Sequence, residues 1–339
     1  MKSSVQIPGR LAVLDGWRGV SILLVLATHL LPLGPKNWGL NEMAGPMGMA
    51  LFFTLSGFLM TRFLLDRASI SDFLIRRFFR VVPLAWVAMA ISFPLVGTVA
   101  DDYLPNFFFY ANLPPQHLTA IASHFWSLCV EMQFYVGIAL VVSLLGRRGL
   151  YLLPLICVAV TAYRISSGAI VDIVTWRRID DILAGAILAL ICAGNLGSTA
   201  ARVIARTNAY VLLVLLALSS HPSTGFLNYL RPYIAAILVG TTLFTPPPRL
   251  QAILCSRALR YIATISFAVY VIHHLLIFSW LASGDKWIKY LKRPLLFAAT
   301  IGLAHASTFY FEQRWIDWGK RLSAMLRASG TRDVAREIK

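Results

Sequence analysis

Ten apolar runs separated by short polar stretches divide the 339-residue chain. A bilayer core of ~30 Å takes about 20 mostly apolar residues in helical form, so these runs predict membrane-crossing helices. The predicted spans cover 12–33, 45–65, 82–100, 124–145, 150–166, 178–195, 208–220, 227–245, 259–282 and 294–313. The seventh is short, and the eighth ends at Pro246-Pro247-Pro248. The pattern therefore predicts an all-α integral membrane protein, a bundle of about ten transmembrane helices over residues 1–313. A basic, amphipathic tail follows at 314–339, read as a cytoplasmic anchor to the membrane surface. The stretch 101–123 is rich in aromatics and prolines and has no Lys or Arg, which predicts an interfacial or re-entrant segment.

Composition sharpens this picture. Hydrophobic residues make up 58% of the chain and charged residues 14%, with mean hydropathy +0.69; a soluble domain carries ~25% charge. The net charge of +16 would suit nucleic acid, but the charges cluster in short loops, as the positive-inside rule expects. Nucleic acid is therefore not an expected partner. With the N-terminus inside, the inner segments (span ends included) hold 21 Lys and Arg, the outer segments hold 9, and Arg18 lies within a span. That bias predicts both termini in the cytoplasm of a cell (inner) membrane protein. Lys286, Lys289, Lys292 and Arg293 dissent, falling outside under this scheme. No cleavable signal peptide is expected, since the first apolar run has span length and lacks a small-residue cleavage site. Cys129, Cys157, Cys192 and Cys255 share no metal-like or disulfide-like spacing and read as apolar packing residues.

Two residues in the first span carry the strongest chemical signal. Arg18 and His29 are eleven positions apart, which returns both to within about 20° of one helix face and separates them by about 16 Å. Ionisable groups within a span usually face a protein interior or a water-filled cavity, so the pair reads as two stations on a polar path. Depth arithmetic places His29 about 25 Å along its helix, Glu131 about 10 Å from the opposite face, and His273 about 21 Å along the ninth helix. The three are expected to converge in the outer half of the membrane. There a carboxylate sharing a proton with imidazole would leave it basic enough to deprotonate a hydroxyl.

Other positions read two ways. Arg76, Arg77 and Arg80 in FLIRRFFRVVPLAW suit an anionic cofactor by fork geometry, or serve as a topology signal or a contact with anionic lipid. Ser56-Gly57 in mid-span permits close helix packing more readily than nucleophilic catalysis. Arg177, Arg178, Asp180 and Asp181 form either an acceptor site or an interfacial charge cluster.

Together these tracts resemble the acyltransferase-3 family. LDGWRGVSILLVLATH is similar to the family's LDGLRGIAILLVVxxH, LFFTLSGFLM to FFVLSGFLI, IRRFFRVVP to RRxxRIxP and HFWSLCVEMQFY to HxWSLSVEEQFY. RIDDILAG resembles RxDALLxG, SFAVYVIHH resembles SYSLYLWH, and STFYFEQRW resembles the start of SxxxYxxIEKP. Seven matches in the family's order cover nearly the whole chain. The resemblance implies an integral-membrane O-acyltransferase. Its donor would be cytoplasmic acyl-CoA, commonly acetyl-CoA, with no metal, and its acceptor a hydroxyl of a surface polysaccharide, glycolipid or macrolide-like metabolite. It further implies catalytic roles for His29, Glu131 and Arg18, and donor binding by Arg76, Arg77, Arg80 and Ser56. Trp126, Tyr135, Arg178, Asp181 and His273 are expected at the acceptor. Cys129 and Met132 depart from the pattern at its usual Ser and second Glu, and Arg314-Trp315 stands where Lys-Pro would follow Glu312. Many relatives append an extracytoplasmic esterase-like domain. This chain is expected to lack one, so the membrane domain would complete the transfer or hand the acyl group to another protein.

The expected mechanism docks CoA at the inner arginines and threads its pantetheine arm past Arg18 to His29, which, assisted by Glu131, deprotonates the acceptor. Direct attack on the thioester is favoured over an acyl-enzyme on Ser56 or Cys129. The rival reading is a transporter or flippase of lipid-linked sugars that uses the same path without chemistry. A third is a scaffold subunit of a polysaccharide machine.

Overall fold

The computed structural model describes residues 8–66 and 69–337, with side chains described for 12–66 and 69–328. The last residues of the expected tail, 338–339, lie outside the described residues. Among the described residues there is helix and no strand. The helices are α1 (Pro8–Leu30), α2 (Leu40–Leu65), α3 (Ile70–Val96), α4 (Tyr103–Phe107), α5 (Trp126–Leu145), α6 (Leu153–Ser166), α7 (Asp180–Cys192), α8 (Ser198–Arg206), α9 (Ala209–Ser220), α10 (Arg231–Phe244), α11 (Pro248–Leu254), α12 (Arg257–Ile277), α13 (Lys286–Ala306) and α14 (Gln313–Glu337).

Each of the ten apolar runs contains a helix, but among the described residues fewer than ten stretches have the length and apolarity of a crossing. Six stretches among the described residues are long and apolar enough to cross a membrane: Ala12–Leu30, Leu40–Leu65, Ile70–Val96, Ser123–Ser166, Arg257–Ile277 and Lys286–Ala328. The pair α8–α9, bent by 89°, makes at most a seventh. The reason is length. Two apolar runs merge in Ser123–Ser166 through the 3-10 segment Gly146–Leu152. The run at 178–195 yields only the 13 residues of α7, bounded by a 3-10 turn at Thr175–Arg177 and by Gly194 at φ 77°. Thirteen residues rise about 20 Å, short of a ~30 Å core. Helices α7 and α10 are instead largely buried within the bundle.

Helix α2 is the centre of the packing, running against α1 on one side and α7 on the other. Backbones meet closely where glycine removes the side chain. A Cβ on Gly57 would stand 1.8 Å from the Ile182 carbonyl oxygen, and one on Gly185 would stand 2.0 Å from that of Thr54. The Ser56-Gly57 tract is thus a close helix crossing. Helix α1 is seated similarly, with Gly16 and Gly19 facing the carbonyls of Leu254 and Leu259 and Trp17 Nε1 donating to Thr242 Oγ1 at 2.9 Å.

The segment expected as a surface tail continues the last helix. A π-helical turn at Ser307–Glu312 joins α13 to α14, and α14 lies along α3. Asp72 of α3 fastens it by accepting from Ser323 Oγ and pairing with Arg327 Nη1 at 3.3 Å. The dissenting Lys286, Lys289, Lys292 and Arg293 lie on the first turns of α13 rather than in a loop.

Candidate active site

Arg18 and His29 both project from α1, and each meets a separate void. At the C-terminal end of α1 an open cavity of about 510 Å³ is lined by His29, His124, Trp126, Asp172, Arg178 and His274. Deeper in the bundle, a chamber of about 50 Å³ is lined by Arg18, Ser56, Arg77, Arg80, Glu131 and Tyr135. A constriction of about 20 Å³ lies between them, bounded by Arg18, Ser21, Val25, Met49 and Tyr270. Arg18 also lines the chamber, while Val25, Met49 and Tyr270 also line the open cavity. The voids therefore follow the face of α1 that carries both residues.

The open cavity owes its shape to the stretch between α3 and α5. Asn106 Nδ2 donates to the carbonyls of Asp102 and His117 at 2.8 Å each, and His117 Nδ1 lies 3.0 Å from Asp102. Gln133 of α5 donates to Asn112 Oδ1 at 2.9 Å and accepts from Thr175 Oγ1 at 2.6 Å. These bonds hold the irregular backbone over the helices, where its polar groups would otherwise be costly. At the rim, hydrogen bonds to Tyr163 and Asp172 raise the pKa of the Arg177 guanidinium.

Four histidines meet here. His273 Nε2 lies 3.2 Å from His29 Nδ1, with their rings stacked at 5.2 Å. His274 packs edge-on to His29 at 5.7 Å and stacks on His124 at 4.5 Å. Tyr270 OH donates to the His124 carbonyl and lies 2.5 Å from Ser127 Oγ, which ties α12 to the start of α5. The expected meeting of His29 with His273 is present. His273, expected at the acceptor, is fully buried behind His29 and is not among the residues lining the cavity.

Glu131 is not with them. Its Oε1 accepts from Ser56 Oγ and Tyr135 OH, and it faces the chamber with three guanidinium groups. The depth estimate misplaced it because α5 does not begin at the bundle surface. His124, just before α5, is already level with the histidine cluster under the 100–123 stretch. Seven residues on, Glu131 is about 10 Å deeper, at the level of Arg18. Tyr135, expected with Trp126, follows it into the chamber while Trp126 lines the open cavity.

The arginine triad also divides. Arg77 and Arg80 line the chamber, whereas Arg76 turns to Asp72 at 2.6 Å and belongs to the contacts that hold α14. Arg178 lines the open cavity with its guanidinium 5.6 Å from the Trp126 ring and 6.0 Å from that of Phe53. It pairs with Asp181 at 3.3 Å, and Asp181 is fully buried behind it. Beside them lies a further buried ion pair, Arg164 with Asp180, supported by Thr161 Oγ1 at 3.3 Å. His124, His274, Gln133, Tyr270 and Arg164 are residues the sequence reading left unassigned, and Asp180, expected in a charge cluster with Arg177, Arg178 and Asp181, pairs instead with Arg164. Their signal was faint: His124 and His274 stand within quoted tracts, but only the third dimension brings them together. Among the described residues no group of three His, Cys, Asp or Glu is placed to hold a metal ion.

The acyltransferase-domain profile of the acyltransferase-3 family matches residues 11–312. The chain is similar to the peptidoglycan O-acetyltransferase OatA of Listeria monocytogenes, 24% identical over 77% of this chain and 48% of that protein. It is also similar to a putative peptidoglycan O-acetyltransferase of Bacillus subtilis, 30% identical over 38% of this chain and 23% of the relative. A putative O-acetyltransferase of Staphylococcus aureus is 29% identical over 38% of this chain and 24% of its own length. The chain therefore spans about half the length of the first of these relatives and less of the others. No solved structure matches it.

Proposed function

The chain belongs to the acyltransferase-3 family, and on that premise we propose that it is a multi-pass membrane O-acyltransferase. The reaction moves an acetyl group from acyl-CoA to a hydroxyl of a carbohydrate-containing acceptor, a glycan of the peptidoglycan kind being suggested by the names of the relatives. The observation that carries this reading is the arrangement on α1: a histidine at an open cavity and an arginine at a chamber with three guanidinium groups and one carboxylate. The excess positive charge suits a donor bearing phosphates. The open cavity, with Trp126 at its wall, suits a ring-shaped acceptor.

The donor enters from the chamber side, taken as cytoplasmic with both termini, and Arg77, Arg80 and Arg18 hold its polar groups. Glu131 serves these arginines, held in place by Ser56 and Tyr135, rather than assisting the base. The acyl thioester passes the Arg18 constriction, which at about 20 Å³ must widen to admit it. In the open cavity His29 takes the acceptor hydroxyl proton, the oxygen attacks the thioester carbonyl, and the carbon–sulfur bond breaks. The proton then passes from His29 to the departing thiolate, so CoA leaves as the thiol.

The test is transfer of label from radioactive acetyl-CoA by membranes carrying the protein, with His29→Ala membranes alongside and peptidoglycan fragments and host glycolipid extracts as acceptors. Label entering an extractable product only with His29 intact supports the reading. Intact acetyl-CoA under every condition, with folded protein, turns it toward the carrier of lipid-linked sugars.

A further inference from the structure

We propose that His273 is a positioning residue that fixes the tautomer of His29, presenting His29 Nε2 to the cavity as an acceptor of protons. This rests on the reading of His29 as the base. The argument starts from the partners of His273. Its Nδ1 faces two backbone carbonyls of its own helix, Tyr270 O at 2.7 Å and Val269 O at 3.1 Å. A carbonyl oxygen only accepts, so Nδ1 carries the hydrogen. A neutral imidazole has one donor and one acceptor nitrogen, so Nε2 of His273 holds a lone pair. That lone pair is 3.2 Å from His29 Nδ1, which must therefore donate. The hydrogen on His29 is thereby placed on Nδ1, and its Nε2 is left unprotonated.

The burial of the two rings supports different tasks for them. His273 is 0% exposed and stands outside the cavity wall. His29 is exposed and lines the cavity. When His29 Nε2 accepts the acceptor proton, the imidazolium keeps its Nδ1–H bond to His273 Nε2, so the ring is held in orientation through the proton cycle. A buried carboxylate does this work in many hydrolases, and a wrong tautomer there costs about 10⁴ in turnover. Here a neutral imidazole, itself locked by a helix carbonyl, takes that place.

The experiment joins spectroscopy to kinetics on the full chain in membranes. Nitrogen-15 spectra of histidine-labelled protein, assigned by comparison with His29→Gln, are expected to give His29 a protonated Nδ1 and an unprotonated Nε2. His273→Leu removes the imidazole acceptor, leaving the Val25 carbonyl as the remaining acceptor beside the His29 ring, and is expected to shift that pattern and lower kcat at least about 10-fold, with KM for acetyl-CoA changed less than about twofold. His273→Gln, whose side-chain oxygen accepts from His29 Nδ1, is expected to recover most of the lost turnover. A wild-type spectrum with hydrogen on His29 Nε2 overturns the proposal without any variant. So does a His273→Leu protein with wild-type kcat, or a folded His273→Gln protein as impaired as the leucine variant. Activity surviving His29→Ala would instead defeat the reading of His29 as the base, leaving the spectrum to judge the tautomer by itself.

Discussion

Replacing Gly57 by alanine sets two magnitudes against each other. In an exposed helix the change is favourable by about 1 kcal/mol, because alanine restricts the unfolded chain and suits a helix interior. At the α2–α7 crossing the new methyl would stand 1.8 Å from the Ile182 carbonyl oxygen and 3.0 Å from the Ala186 nitrogen. Ordinary contact begins near 3.4 Å, and both obstacles are backbone, so the helices must part by about 1.5 Å. A gap of even 0.5–1 Å forfeits a quarter to a half of each dispersion contact of about 0.1–0.2 kcal/mol. Parting the two backbones forfeits such contacts along the whole crossing, so the net cost falls in the range of about 1–3 kcal/mol usual for overpacking. Packing outweighs propensity, leaving the variant less stable by about 1–3 kcal/mol. At roughly 2 °C per kcal/mol for a chain of this size, the apparent unfolding midpoint in detergent falls by about 2–6 °C. Gly137→Ala on α5 is the control, since nothing lies within 4 Å of its added methyl, and its midpoint is expected to hold or rise. Fluorescence-detected thermal unfolding of both variants checks this. Equal midpoints for Gly57→Ala and Gly137→Ala, at or above that of the wild type, would refute the steric argument.

His29→Ala is expected to lower kcat by about 10²–10⁴ with little change in KM for acetyl-CoA. Arg77→Ala in the chamber is expected to raise that KM by about 10-fold or more, as the loss of a charge-assisted hydrogen bond implies; steady-state kinetics on membranes reads both. Arg164→Met leaves Asp180 buried without its partner and is expected to destabilise by about 3–5 kcal/mol, whereas Arg164→Met with Asp180→Leu is expected to be more stable than the single variant. Thermal midpoints of the two proteins decide it. Asp72→Ala removes the shared acceptor of Arg76, Ser323 and Arg327, so α14 is expected to be cut faster by trypsin, and an unchanged digestion pattern would show that these bonds do not hold the helix.

Helix positions, membrane residence and the placing of Arg18 and His29 on one face were determined by the sequence alone. Each depends on hydropathy or on rise and rotation per residue, which are fixed within one helix. Relations between helices were decided elsewhere. Glu131 parted from His29 because α5 starts beneath an irregular segment whose depth no periodicity records. Arg76 left Arg77 and Arg80 for Asp72, one turn back on α3, and only the fold brings Ser323 and Arg327 of α14 to that same carboxylate. Fewer helices than apolar runs have the length of a crossing, because α7 is only 13 residues and α10 only 14, and both are largely buried within the bundle. His273 was legible as a polar residue at the right height, but its role as the partner behind His29 required the distance between two helices. Glycines 57 and 185 were visible in the sequence as small residues. Only the tertiary structure paired them across one crossing, since the approach of two backbones is set by every side chain that packs around it.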